Sequence, residues 1–519
     1  MISTLPRNSF YRKLDFWVDE AIWGHRLYDE QTPWLCFMEF LGVLSAEYQK
    51  GTAFVEKTFN SLSYSPNSRI YLRNLLFNNP YIELVYRDYE NHKDDKKAWD
   101  DWIQEATKKF AGLESLPDFG YLKGNFFNFE DFYEAIKFFQ SNTIEGENNK
   151  RWSSQFIFPY GRECLYEDLR INGDSVQRDR RFFGRTGELL YLMLSRSQRG
   201  QQLLPFFETS ILKSSSVFNR LAKKLQPDAG NEISVKEKEI NGTYLPYENL
   251  DDFQNLADDW LNIFSFKIPF YDTIPHLVNI TGLHMILYFL NRSKEVLNQN
   301  EKAEFILEIM APKKTIIRDL SSDSYINNNN LSRQAIEEHI LTIKETNDWK
   351  EISNSSDPIF AAQKLLQKKF FWPSNDEDLT LYNSQDALLK ELVKKAIRRH
   401  KQHVNNFHRV WGKEIGFSSS RNSRRIRYAP TDNFFKSLVL TNVSERMEYQ
   451  EFLAKLYWKY GFIIGDKQAI DVTARGQADL EAFSENALRL EQRLSSMGLL
   501  RRLSDACAYV ENPFARDGD

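Results

Sequence analysis

The chain has 519 residues, of which 42% are hydrophobic and 14% aromatic, and its formal net charge is −4. That length exceeds one ordinary core and that apolar content excludes wholesale disorder, so two to four folded domains are expected. The slight negative charge excludes a generally basic nucleic-acid coat.

Three scattered cysteines, Cys36, Cys164 and Cys507, supply neither a disulfide framework nor a zinc-binding spacing. Buried thiols in a reducing cytosol are the plain reading. The N-terminal stretch MISTLPRNSFYRKLDFW has no apolar targeting region. The longest apolar run, LHMILYFL at 283–290, falls short of the ~18 residues a membrane span needs. A cytoplasmic protein without membrane contact is therefore expected.

In chain order, the fold class reads as mainly α, with an α+β option kept for the N-terminal part. TPWLCFMEFLGVLSAEY starts with Thr32 as N-cap and Pro33 at the first helical position, and its nearly all-round apolarity predicts a buried helix. NFEDFYEAIKFFQ repeats this logic, with Asn128 as cap and Phe129, Phe132, Tyr133 and Ile136 as one stripe. YIELVYRDY (81–89) alternates and admits a strand.

Around 226–246 the apolar period is lost and a linker or surface excursion is expected. A second helical block follows, with SSDSYINNNN (321–330) read as a loop inside it and DPIFAAQKLLQKKFF starting at Asp357-Pro358. The expected units are a mostly helical domain over 1–225, a second helical domain over 247–385, a basic helix and arm over 386–430, and a final domain over 431–519.

The basic segment is the most informative. Lys394, Lys395, Arg398, Arg399, Lys401, Arg409, Lys413, Arg421, Arg424, Arg425 and Arg427 face the single acid Glu414, so the rest of the chain must carry about −14. In DALLKELVKKAIRRHKQHV the residues Leu389, Val393, Ala396, His400 and Val404 share one face, which leaves the other cationic. GKEIGFSSSRNSRRIRY then reads as a mobile Gly/Ser loop or turn carrying four arginines beside Phe417 and Tyr428. Phosphate neutralisation with base stacking is one reading, and a solvated charged face over core aromatics is the other.

Three helices and a terminal hairpin follow. DNFFKSLVLTNV is introduced by Pro430 and Thr431, MEYQEFLAKLYWKYG ends on Gly461, and DLEAFSENALRLEQRLSSMG ends on Gly498. LLRRLSDACAYVENPF reads as two strands around Ser504-Asp505, closed off by Pro513. That order is the winged-helix plan. The third helix carries Arg489 and Arg493 but also Glu481, Glu485 and Glu491, so DNA reading and protein docking both stay open.

QRDRRFFGRTGELLYLML gathers Arg178, Arg180, Arg181 and Arg185 ahead of an apolar element. A phosphate at that element's N-terminus is one reading, and a surface turn paired with acids of a neighbouring domain is the other.

Catalytic signatures are few. His400, His403 and His408 on one helix would project at about 0°, 300° and 80° and sit among cations, which argues against a metal. His284 reads as a core histidine. GFIIGDK lacks the P-loop spacing, Asp118 and Asp228 lack a downstream Glu-x-Lys, and no cofactor motif occurs.

The stretch from GKEIGF to YWKYGFIIG, with FSENALRLEQRLSSMGLLRRLSDACAYVENPF, resembles the C-terminal part of proteins encoded in bacterial anti-phage defence islands, those of methylation-associated and related restriction-like systems. RRFFGRTGELLYLMLSR is similar to an upstream motif of the same group. The resemblance covers about a third of the chain and implies context alone: an accessory subunit binding DNA or scaffolding partner subunits that carry ATPase or nuclease chemistry. The rival expectations are a metal-dependent nuclease with its site in the N-terminal half, and a protein-only adaptor.

Overall fold

The computed structural model describes residues 14–515 apart from 25–26, 56–61, 63, 113–117, 145–150, 174, 228–242, 244, 246, 312–314, 371, 373–381, 422–423, 475, 477–478 and 505–506. The expected linker over 226–246 lies mostly outside the described residues, as do Asp228 and Asp505.

The chain is predominantly helical, and the caps explain where helices start. Thr32 Oγ1 accepts from Leu35 N at 3.5 Å and opens helix Pro33–Gln49. This helix is buried on nearly all sides because helix Thr186–Arg196 packs against it at a glycine. A methyl group on Gly187 would lie 2.6 Å from Cys36 O and Phe40 N, so only glycine lets these backbones meet. Phe37, Phe40, Tyr191, Phe207 and Trp260 fill the space around that crossing, with ring centroids 5.3–6.4 Å apart.

Asn128 Oδ1 accepts from Asp131 N at 2.8 Å and opens helix Phe129–Ser141, whose rings meet Trp99 and Trp102. The alternating stretch 81–89 is helical, within Ile82–His92, and not a strand. Its sequence fits both periods, and tertiary contact decides: Ile82 and Tyr89 are buried on one helical face, while Tyr86 stacks on Tyr133 at 3.6 Å. Strands described in the N-terminal part form two small antiparallel ribbons, Thr143–Ile144 with Phe156–Ile157 and Leu169–Asn172 with Ser175–Arg178.

Helix Phe270–Val296 runs through the middle of the molecule. It is long and apolar enough to cross a membrane, but most of it is buried against helices Pro33–Gln49, Asp251–Phe264, Ile316–Leu341 and Asp432–Asn442. On it, His284 is a core residue, with Nε2 2.6 Å from Asp259 Oδ2; Asp259 also meets Lys459 and accepts from the Tyr460 hydroxyl at 2.8 Å.

The expected loop 321–330 lies instead inside Ile316–Leu341, the spine helix. Its polar residues hydrogen-bond outwards: Ser321 Oγ donates to Tyr428 O at 3.1 Å, and Asn328 Nδ2 donates to Glu304 O at 2.9 Å and to the Tyr428 hydroxyl at 3.0 Å. Partners distant in sequence thus override a low helix propensity.

The C-terminal unit holds helices Asp432–Asn442, Tyr449–Tyr460 and Leu480–Ser496, as expected, with Gly461 and Gly498 both at positive φ. Strands Leu500–Ser504 and Cys507–Glu511 form an antiparallel hairpin, and strand Arg446–Glu448 pairs with the second of them. The unit is tied into the body: Phe305–Ile306 pairs in parallel with Phe462–Ile463, and Asn486 donates to Leu307 O and Ile464 O and accepts from Ile309 N, all at 2.9 Å. One contiguous apolar core extends from Val18 to Val510.

Candidate nucleic-acid interface

Ser384 Oγ accepts from Ala387 N at 3.2 Å and opens the basic helix Gln385–His403. Leu389, Val393, Ala396 and His400 are buried, as their common face requires. His400 fixes the direction of travel: its Nε2 lies 3.1 Å from Ser332 Oγ on the spine helix, and its ring stacks on Trp23 at 5.9 Å. The helix breaks after His403, and a short helix, Phe407–Glu414, follows.

The three histidines therefore do not share one helix. His403 stacks on Tyr28 at 5.3 Å, while His408 stacks on Tyr325 at 4.8 Å and places Nε2 3.1 Å from the Tyr428 hydroxyl. Burial lowers His400 and His408 to about 3, so these rings are neutral at ordinary pH.

The Gly/Ser-rich stretch forms a small hairpin, Ser418–Ser419 with Arg427–Tyr428, and sits more firmly than a loop reading suggests. Gly416 turns into it at φ +72, where a Cβ would strike Thr431 Oγ1 at 2.2 Å. Tyr428 is held by Ser321 and Asn328, and Glu308 N donates to Tyr428 O at 2.8 Å.

Successive contacts run back along the spine: His400 faces Ser332, His408 faces Tyr325, Arg425 lies 3.6 Å from Asp323, and Arg427 meets Glu308, which also accepts from Arg318 Nε at 2.7 Å. The basic segment thus lies antiparallel to the spine helix. On the spine, Asp323, Asn327, Asn330, Gln334 and Glu337 share one helical face, the first four exposed and the last half-buried. Arg425 meets this stripe at Asp323, while Arg398 and Lys401 share a groove with Glu337, fourteen residues or ~21 Å along the axis.

The cations divide sharply. Lys394 is 78% exposed and lies 3.5 Å from Glu391, one turn away. Arg398, Lys401, Arg409, Lys413, Arg421 and Arg424 are exposed, and among the described residues no carboxylate bridges them. Lys395 lies over the Trp372 ring at 5.6 Å, and Arg399 reaches Gln402 at 3.5 Å.

Three further sequence candidates are held by carboxylates of the chain itself. Arg427 is 1% exposed and ion-paired with Glu308, so it builds the hairpin and cannot meet a ligand. Arg493 is held at 2.5 Å by Asp432, donates to Pro430 O at 3.0 Å and covers the Phe435 ring. Arg489 pairs with Glu485 at 2.7 Å. Arg493 therefore seats the end of the third helix beside Thr431, whose N donates to Gly416 O at 2.8 Å.

The sequence reading passes over the first part of the exposed stripe of the spine helix because 321–330 reads as a loop, and it passes over Arg333 just beyond it. It also passed over Arg501 and Arg502 in the terminal hairpin, both exposed, with Arg502 3.5 Å from Glu491. The hairpin was recognised, and its two adjacent arginines were the available signal.

The arginines at 178–185 have a different setting. Arg178 meets Glu167, Arg180 lies 2.8 Å from Glu188 and 3.5 Å from Glu39, and Arg181 lies 3.2 Å from Glu30. The amides at the start of helix Thr186–Arg196 already have an anion of the chain's own: Arg185 N and Gly187 N donate to Glu39 at 3.2 and 2.9 Å, and Gly184 N and Thr186 N donate to Gln31 Oε1 at 3.0 Å each. Where the phosphate reading needs open amides, Glu39 and Gln31 occupy them, and the acids that pair with the arginines come from the same 1–225 stretch, not from a neighbouring domain. Burial and then the Glu188 charge push Glu39 up, whereas Arg180 and Arg185 hold Glu188 low against the burial that opposes them.

Asp118 accepts from Gly120 N at 2.8 Å in its own turn. Among the described residues, no group of three or more His, Cys, Asp or Glu is arranged to hold a metal ion. Comparison with known proteins finds no match among family models, curated proteins or solved structures.

Proposed function

We propose that this chain is a non-catalytic DNA-binding or scaffolding subunit, and that its C-terminal unit is a winged helix. Support for the latter is the order helix, strand, helix, helix, strand, strand, with the first strand paired to the last. The strand Phe462–Ile463, which pairs outside the unit, and a five-residue helix, Ile470–Ala474, are additions to that order.

The observation that carries the DNA reading is the row of exposed cations Arg409, Lys413, Arg421 and Arg424, which no carboxylate among the described residues bridges, running alongside an asparagine-bearing helix face. Such a row neutralises phosphates, and amide side chains offer both donors and acceptors to base edges or sugars. The exposed face of the third helix carries Glu481, Glu485, Leu488 and Gln492, which attract no phosphate. In this reading the backbone is met by the arm, with Arg501 and Arg502 of the terminal hairpin assisting. The setting in bacterial anti-phage defence, in the cytoplasm and beside subunits that carry ATPase or nuclease chemistry, rests on the family resemblance alone.

Binding of a labelled 30-base-pair duplex at graded salt tests this. The expected result is a steep salt dependence, with its log–log slope reduced by about 0.9 for each arginine removed in Arg421→Ala/Arg424→Ala/Arg425→Ala. Unchanged affinity in that variant favours the protein-only adaptor. Plasmid cutting that requires Mg²⁺ or Mn²⁺ favours the nuclease.

A further inference from the structure

Between the basic helix and the C-terminal half of the spine helix lies an open groove of about 660 Å³. Its floor is aliphatic, formed by Leu341, Leu389, Val393 and Ile397. Its rim is cationic: Lys344, Lys390, Lys394, Arg398 and Lys401 border it against two acids, Glu337 and Asp386. Asp386 is already paired with Lys344 at 3.0 Å. The groove follows the basic helix from Asp386 to Lys401, about 22 Å at 1.5 Å per residue, or four turns.

This combination selects among ligands. A nucleic acid would use the rim and leave the floor wet, because among the described residues no ring lines it to stack a base. An apolar peptide would fill the floor and leave the ammonium and guanidinium groups without partners. A helix with aliphatic residues at i, i+4, i+7 and i+11, flanked by Glu and Asp, satisfies both at once.

We infer that this groove docks an acidic amphipathic helix of about four turns from a partner protein. The occupant buries its aliphatic stripe on Leu341, Val393 and Ile397, and its carboxylates meet Lys394, Arg398 and Lys401. This surface is separate from the cations of the 409–425 segment and does not depend on their binding DNA.

The test is fluorescence anisotropy with the full-length chain and a labelled fifteen-residue helical peptide bearing Leu on one face and Glu on its flanks. Saturable binding tighter than about 100 µM is expected. Replacing the peptide's Glu by Lys, or its Leu by Ala, should weaken it at least about tenfold. Lys394→Glu/Arg398→Glu, at exposed positions that leave the fold intact by circular dichroism, should weaken it to the same extent, as should Ile397→Ser. Arg424→Ala/Arg425→Ala should leave it unchanged. The inference is overturned by absence of saturable binding, by binding indifferent to Lys394→Glu/Arg398→Glu, or by displacement of the peptide by an equimolar DNA duplex.

Discussion

In the segment 178–185, Arg178, Arg180 and Arg181 each lie against a glutamate, whereas from 398 to 424 most cations face solvent with no carboxylate in bridging range among the described residues. Local sequence does not separate the two, since both mix arginine with aromatic residues and glycine. The difference arises in tertiary structure. The first segment folds over a helix start that already holds Glu39, with Glu188 one turn in. The second runs beside a helix whose exposed stripe is mostly Asn and Gln. Arginine's meaning therefore depends on which acids the fold brings to it. A buried guanidinium between two carboxylates is a structural element, and an exposed one beside amides is available to a partner.

Removing one member of each set gives the largest contrast. Arg180→Met leaves Glu39 and Glu188 buried without their shared cation, and a loss of about 3–5 kcal/mol in urea unfolding is expected. Equal stability of Arg180→Met and the parent chain would break the comparison.

A second test uses acid. His400 and His408 stay neutral in the fold down to about 3, while the unfolded chain protonates them near the ordinary 6.5. Between those limits the unfolded chain binds more protons, so stability falls as pH drops, by up to about 1.4 kcal/mol per pH unit for each ring. The urea midpoint measured from pH 7.5 to 5 should follow this, and His408→Phe, which keeps a ring against Tyr325, should reduce the slope by that one ring's share.

Smaller effects sharpen the boundary of the interface. Ser384→Ala removes the cap of the basic helix and should cost about 1 kcal/mol, read as a lowered melting temperature. Arg424→Ala should change stability by less than about 0.5 kcal/mol, which distinguishes it from Arg180→Met, while its effect appears in the salt slope of duplex binding.

Much of the helical architecture was legible where local chemistry is decisive. Thr32, Asn128 and Thr431 each accept the expected amide, and the stripes of Phe129–Ile136 and Leu389–His400 are buried. Legibility failed where partners come from far along the chain. Nothing near 321–330 announces that Ser321 will bind Tyr428, 107 residues on, or that this pairing sustains a helix through four consecutive asparagines. Arg424 and Arg427 are indistinguishable by spacing, yet Glu308, 119 residues away, buries one of them. The basic segment was legible as a feature, and its alignment with the spine helix was not, because that alignment depends on the neutral side chains Ser332, Tyr325 and Ser321.

The clamp that Asn486 makes on residues 307–309 has a temporal side. A nascent chain that has delivered Ile309 must extend another 177 residues before this partner emerges. At 5–20 residues per second, that is roughly 10–35 s of translation. For most of that interval Phe305 and Leu307 lack both the strand and the amide that later enclose them, so the unit that holds Asn486 closes the body rather than merely being appended to it.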